Sequence, residues 1–183
     1  MQATLQINEV KGGYSPRTKA NAMFATVTIA VAVDYTTYGE KLTKKLAGVG
    51  YIAIPYEKTQ KKSAREMLLS SIPNRKAIFG EELFSVNIAG NGIYTLAKHG
   101  IAQEEADVKI YSLLKFLHYN KKIAKIYTGL QTGIDLSGAR AALKLGIPLE
   151  INMPENFLMR NSKGEDITNS IFDIMEILNG KNL

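Results

Sequence analysis

The sequence has no cysteine, no tryptophan and only two histidines, His99 and His118, among its 183 residues. Without cysteine there are no disulfides, no thiol nucleophiles and no cysteine-ligated zinc or iron–sulfur centres. Two histidines are too few for a histidine-rich metal centre, so neither a metal nor another cofactor is expected. No apolar run approaches the ~18 residues that a membrane span needs, and the first residues carry no signal-peptide pattern. These absences predict a cytoplasmic protein without a membrane partner.

What is present is ordinary for a globular chain: 45% hydrophobic and 22% charged residues, enough for one domain over 1–183 with a sizeable core. The net charge is +6. Lysines gather at Lys41, Lys44 and Lys45, at Lys58, Lys61 and Lys62, and at Lys121 and Lys122. Aromatic residues are weakly interleaved with them, which disfavours a nucleic-acid partner and leaves a solvated surface or a small anionic ligand.

The apolar run Val27–Val33 reads as a strand covered on both faces and Tyr51–Pro55 as the next buried strand; Phe84–Ala89, Ile123–Tyr127 and Ile147–Asn152 also read as strands, and Leu5–Val10 as a further short one. Helical patterns fall between them. They run over Arg17 to Phe24, from Thr37-Tyr38 to Ala47, over Gln103–Tyr119, from Asp135 to about Leu145, and over Thr168–Leu178. The last is expected to turn Ile171, Ile174, Met175 and Leu178 inward. Residues 57–76 read as a polar connection holding a short helix, Ser63–Leu69, and a turn at Pro73-Asn74; 161–165 read as a polar loop. Strands alternating with helices across short connections predict an α/β fold, a three-layer Rossmann-like domain with a mainly parallel sheet.

In such sheets ligands bind beyond the carboxyl ends of the strands. Three turns with glycine fall there: Thr37-Tyr38-Gly39-Glu40, Gly90-Asn91-Gly92 and Thr128 to Gly133. Glycine lets backbone N–H groups approach a phosphate, and a following helix N-terminus adds partial positive charge. None of the three matches a P-loop, and Gly90-Asn91-Gly92 lacks the third glycine of the dinucleotide fingerprint. Each candidate side chain also has a plain structural role open to it. Thr37 with Glu40, and Thr132 with Asp135, have capping-box spacing. Arg17 and Arg160 fit surface charges, Asp34 fits either a turn or a ribose hydroxyl, and both histidines fit helix C-termini.

The run Thr128-Gly129-Leu130-Gln131-Thr132-Gly133-Ile134-Asp135, followed by Ala141 to Leu145 and Gly146-Ile147-Pro148, resembles the SLOG superfamily. That superfamily comprises the molybdenum-cofactor carrier-like proteins, the LOG-type phosphoribohydrolases and the DprA-like proteins, whose pattern is roughly S-G-G-Q-T-G-x-D and then G-I-P. Thr128 and Leu130 depart from it. Pro154 and Arg160 stand where these proteins often have a proline and a basic residue. The N-terminal part is similar to the later half of the same family. Arg17-Thr18 with Asn21 matches R-T-x-x-N, and Tyr38 to Thr43 stands in place of G-G-T-x-L-T. The halves are therefore in swapped order, 1–60 resembling the later half and 84–183 the earlier, as a circular permutation gives.

The resemblance implies a homo-oligomer that binds a nucleotide-derived small molecule, an NAD-, ADP-ribose- or cyclic-nucleotide-type signal, as a sensor or as a sequestering anti-defence protein of a phage. Amides around Gly90 to Gly92 and Gly129 to Gly133 would hold phosphates. Gln131, Thr132 and Asp135 would contact ribose or base, and Arg17 and Arg160 would counter ligand charge. Thr18, Asn21, Asp34 and Gly39 complete the expected site. An N-glycoside hydrolase acting through Glu40 or Asp135 is the alternative, although the LOG motif P-G-G-x-G-T-x-x-E is absent. A DprA-like module for single-stranded DNA is the third.

Overall fold

The structure, a computed structural model, describes residues 4–79 and 84–180. In chain order the elements are β1 (Leu5–Val10), α1 (Tyr14–Phe24), β2 (Val27–Ala32), α2 (Tyr38–Ala47), β3 (Tyr51–Pro55), α3 (Lys62–Phe79) and β4 (Phe84–Gly90). There follow α4 (Ile93–Lys98), α5 (Gln103–Lys121), β5 (Ile123–Thr128), α6 (Ile134–Leu145), β6 (Leu149–Pro154), β7 (Met159–Arg160), β8 (Asp166–Ile167) and α7 (Ile171–Leu178).

Strands β1 to β6 form one sheet in the order β1-β6-β5-β4-β2-β3, and every pair in it is parallel. Helices α1 and α2 pack together, with α1 lying across β6, β5 and β4. Helices α5 and α6 pack together and carry α3 and α7. Right-handed crossovers put these two groups on opposite faces, because the chain steps one way from β1 to β2 to β3 and the other way from β3 through β4 to β6. The fold is thus the expected three-layer α/β arrangement.

Strand β2 is buried at all six positions, as its unbroken β-branched and small-residue run requires of a central strand covered on both faces. The core joins it to Ile54, Val86, Ile88 and Ile126, and to the α5 stripe Ala106, Ile110, Leu113, Leu114 and Leu117. The direction of travel reverses between β2 and β4: β2 leads to β3 on one side, and β4 leads to β5 on the other. The crevice at the carboxyl ends of these two strands is the topological switch point.

Three local expectations need correction. Helix α3 continues through Pro73-Asn74, where a turn is predicted, and so runs well past Leu69. A proline inside a helix loses one backbone bond, but Ala64, Leu68 and Ile72, spaced four apart, fix the helix on the core. Helix α7 starts at Ile171 rather than Thr168, because Ser170 and Asp173 form a complete capping box there. Its inward residues are Ile174, Ile177 and Leu178, while Ile171 and Met175 are exposed. The polar loop 161–165 is the tip of a small antiparallel hairpin, β7-β8.

Candidate active site

All three glycine turns lie at carboxyl ends of strands, after β2, β4 and β5. They border a crevice made of two adjoining hollows that share Arg17, Thr18, Gly39, Glu40 and Gly90. The inner hollow measures about 60 Å³ and reaches down to Asn21, Thr43, Asn87 and Asp135. The outer one measures about 330 Å³ and is rimmed by Tyr14, Tyr38, Tyr94, Gln131 and Arg160. A shallower hollow of about 360 Å³ lies apart from these turns, between α3 and α5.

Helix α1 supplies the wall, and it does so with polar residues. Arg17 and Asn21, one turn apart, are both buried. Asn21 and Asn152 exchange hydrogen bonds, and Asn152 also accepts from Asn8 on β1. This polar seam replaces the apolar contact that a sheet-covering helix ordinarily makes.

Arg17 Nη1 meets Asp135 Oδ2 at 2.6 Å, with both side chains almost wholly buried. The guanidinium lies directly over Gly129, where an added Cβ would stand 1.6 Å from Arg17 Nη1. Only glycine admits the arginine at that point. Burial pushes the Asp135 carboxyl above its ordinary value, opposed by the Arg17 guanidinium and by the backbone N–H groups of Gly90 and Gly129.

Several of the amides expected to cradle phosphate are therefore committed elsewhere. Those of Gly90 and Gly129 face the Asp135 carboxylate. The Gly133 N–H donates to Gln103 Oε1 at 2.6 Å, and the Ile134 N–H donates to the Asn91 carbonyl. Gly133 has φ 97°, a conformation that glycine alone adopts without strain. It is held there by Gln103, whose Nε2 also donates to the Gly133 carbonyl.

The other candidates separate clearly. Asn91 lines the outer hollow, but its side chain accepts from the N–H groups of Val33 and Asp34 and donates to the Asp34 carbonyl, tying β2 to β4. The Asp34 carboxylate accepts from the Thr36 N–H and hydroxyl, which is a turn role. The Thr132 hydroxyl donates to the Arg160 carbonyl. Arg160 itself makes a two-pronged pair with Asp166 at 2.8 and 3.0 Å, and its guanidinium lies over the Tyr14 ring. Gly92 and Gln131 border the outer hollow. Thr18 borders both hollows, and Asn21 borders the inner one.

Glu40 is different. The Thr37 hydroxyl accepts from the Glu40 N–H, forming half of the predicted capping box. The Glu40 side chain does not complete it; it is buried against the inner hollow, and its Oε2 has no partner. Burial, then the nearby Asp135 and Asp34, push its carboxyl up from the ordinary 4.5 to about 8. At neutral pH Glu40 is thus largely a neutral acid able to donate a proton or a hydrogen bond.

Several contributors were not anticipated by sequence reasoning. Asn87 and Thr43 line the inner hollow. The sequence signals are an asparagine inside an otherwise apolar strand and a threonine one turn after Glu40. The tyrosine rim carries no such signal, because Tyr14, Tyr38 and Tyr94 meet only in the fold. Among the described residues, no group of three or more His, Asp or Glu side chains is placed to hold a metal ion, and no helix is long and apolar enough to cross a membrane. No family model matches this chain, and no curated protein or solved structure is significantly similar to it.

Proposed function

We propose that the switch-point crevice binds a nucleotide-derived small molecule, of the ADP-ribose, NAD or cyclic-nucleotide kind, as a sensor or a sequestering protein. One observation carries this reading. Four buried side-chain atoms among the described residues lack a hydrogen-bond partner, and three of them, Arg17 Nε, Glu40 Oε2 and Gln131 Oε1, belong to residues lining this crevice. Buried polar atoms are rarely left unpaired, so three around one crevice point to a ligand that supplies the missing partners. At the mouth the Tyr14 and Tyr94 rings already carry cations, Arg160 and Lys98, while the exposed Tyr38 ring offers a flat face for a base.

Two further features support the resemblance behind this reading. Leu130 holds φ 54°, the left-handed region that favours glycine, where the S-G-G-Q-T-G-x-D pattern has its second glycine. Strand β1 lies beside β6, so a chain begun at β4 and continued from β6 into β1 would pass between neighbouring strands, as swapped halves require.

A second reading, hydrolysis of an N-glycosidic bond, is favoured by Glu40 alone. Water would add to the anomeric carbon as the bond to the base breaks, with the proton from Glu40 passing to the departing base and the proton shed by the water returning to the Glu40 carboxylate. One experiment separates the two. The purified protein is incubated with NAD, ADP-ribose, its cyclic isomers, AMP and cyclic dinucleotides, and the supernatant is assayed by mass spectrometry before and after heat denaturation. A compound depleted and then returned intact is the expected result. Release of base and sugar phosphate would establish the hydrolase, and depletion of nothing would overturn both.

A further inference from the structure

The two hollows differ in charge as well as size. The only arginine in the inner one, Arg17, is already paired with Asp135, and the amides of Gly90 and Gly129 face the same carboxylate. The second acid there, Glu40, has no cationic partner, and Asn21, Thr43 and Asn87 complete the walls as neutral groups. A phosphate placed inside would lose its hydration and meet two carboxyl groups without a free cation, a combination that burial makes costly. An uncharged hydroxyl pair meets what it needs: an acceptor or donor in Glu40 Oε2 and a donor in Arg17 Nε, both buried and unpartnered. The hollow of about 60 Å³ has room for a group of a few non-hydrogen atoms, since a single water needs roughly 10–15 Å³ on this measure.

The outer hollow has the opposite character. The first turns of α1, at Tyr14 and Ser15, and of α2, at Tyr38 and Gly39, open onto it, and helix N-termini attract anions. The buried, unpartnered Arg17 Nε and Glu40 Oε2 lie where the two hollows meet.

Resting on the nucleotide reading above, we propose that the crevice distinguishes the ends of its ligand. The inner hollow admits the uncharged, hydroxyl-bearing edge of an end group such as a terminal ribose and refuses a phosphate. The phosphates stay in the outer hollow beside the N-termini of α1 and α2, and the base lies against the tyrosine rim. The ligand class is a nucleoside diphosphate extended by a neutral sugar.

Isothermal titration of the purified protein with ADP-ribose and with ADP tests this directly. Both carry adenine and two phosphates, and only ADP-ribose ends in an uncharged sugar. ADP-ribose is expected to bind at least about tenfold more tightly than ADP, a modest demand on a site that pairs hydroxyls through buried groups. Asp135→Asn removes the carboxylate charge that neutralises Arg17, leaves a net cation beside the inner hollow, and should shrink that preference to about threefold or less. Binding of ADP as tight as that of ADP-ribose in the wild-type protein overturns the end selectivity while leaving nucleotide binding intact. Binding of neither overturns the end selectivity, and the nucleotide reading then stands or falls with the wider panel above. Circular dichroism of Asp135→Asn checks its fold, and if it does not fold, the wild-type comparison decides.

Discussion

Two glycine turns with similar sequence grammar are put to opposite uses. The turn after β5, Thr128 to Gly133, leads into α6 and is closed on itself: Asp135 fills the cradle that a phosphate would occupy, Arg17 covers it, and Gln103 clamps Gly133 from behind. The turn after β2, Thr37 to Glu40, leads into α2 and stays open, with Glu40 buried and unpaired at the edge of the hollow. A carboxylate supplied by the chain itself makes the first turn a structural anchor. The lack of any such partner leaves the second turn open to the crevice, with a buried acid at its edge. A glycine turn at a helix N-terminus therefore shows where an anion can sit, without showing whether that anion comes from a ligand or from the protein.

The comparison breaks first at Glu40. Its folded carboxyl titrates near 8, against an ordinary value of 4.5. The folded state therefore holds a proton that the unfolded chain has released, and stability falls as pH rises between these values. The loss is bounded by about 5 kcal/mol, at roughly 1.4 kcal/mol for each pH unit of the difference. Urea denaturation at pH 5, 7 and 9 should show that decline in the wild type and a flatter profile for Glu40→Gln. Parallel profiles would mean that Glu40 is not an uncompensated buried acid.

On the closed side, Asp135→Ala leaves the Arg17 guanidinium buried without its partner. Breaking a buried pair from one side costs about 3–5 kcal/mol, so the midpoint of denaturation should drop far at neutral pH. A change below about 1 kcal/mol would contradict the anchor role, because exposed pairs fall in that range.

Most of the architecture was legible in the sequence because period and burial agree. Val27 to Ala32 is apolar but for Thr28, so only a central strand of a covered sheet suits it, and the five-residue stripe on α5 fits one helix face. The misreadings have local causes. Pro73 signals a break, yet packing of Ala64, Leu68 and Ile72 holds α3 in place. Met175 fits the inward period of α7, but with the cap at Ser170 the buried face is Ile174, Ile177 and Leu178. The site was legible as a set of residues and not as a division of labour. The spacing of Thr132 and Asp135 suits a cap, and nothing local to it reveals that Arg17, 118 positions away, claims the carboxylate. The same limit hides the tyrosine rim.

Asn91 offers the smallest and sharpest test, because it joins the two sides. It sits in the third glycine turn, after β4, and its side chain makes three hydrogen bonds of 2.8 to 2.9 Å with the backbone of Val33 and Asp34. Those residues open the loop that leads to Thr37 and to Glu40 in the first turn of α2. Asn91→Ala removes all three bonds and leaves two partly buried N–H groups without an acceptor, at a cost of about 1–3 kcal/mol. Thermal denaturation should register that loss, and amide exchange at Val33 and Asp34 should quicken while exchange in α6 does not change. If exchange quickens equally in both places, the open turn and the closed one form a single cooperative unit. If α6 remains protected, the loop leading into α2 and Glu40 can loosen while the Arg17–Asp135 anchor holds, which is how a crevice on a rigid sheet could admit a ligand without unfastening its own floor.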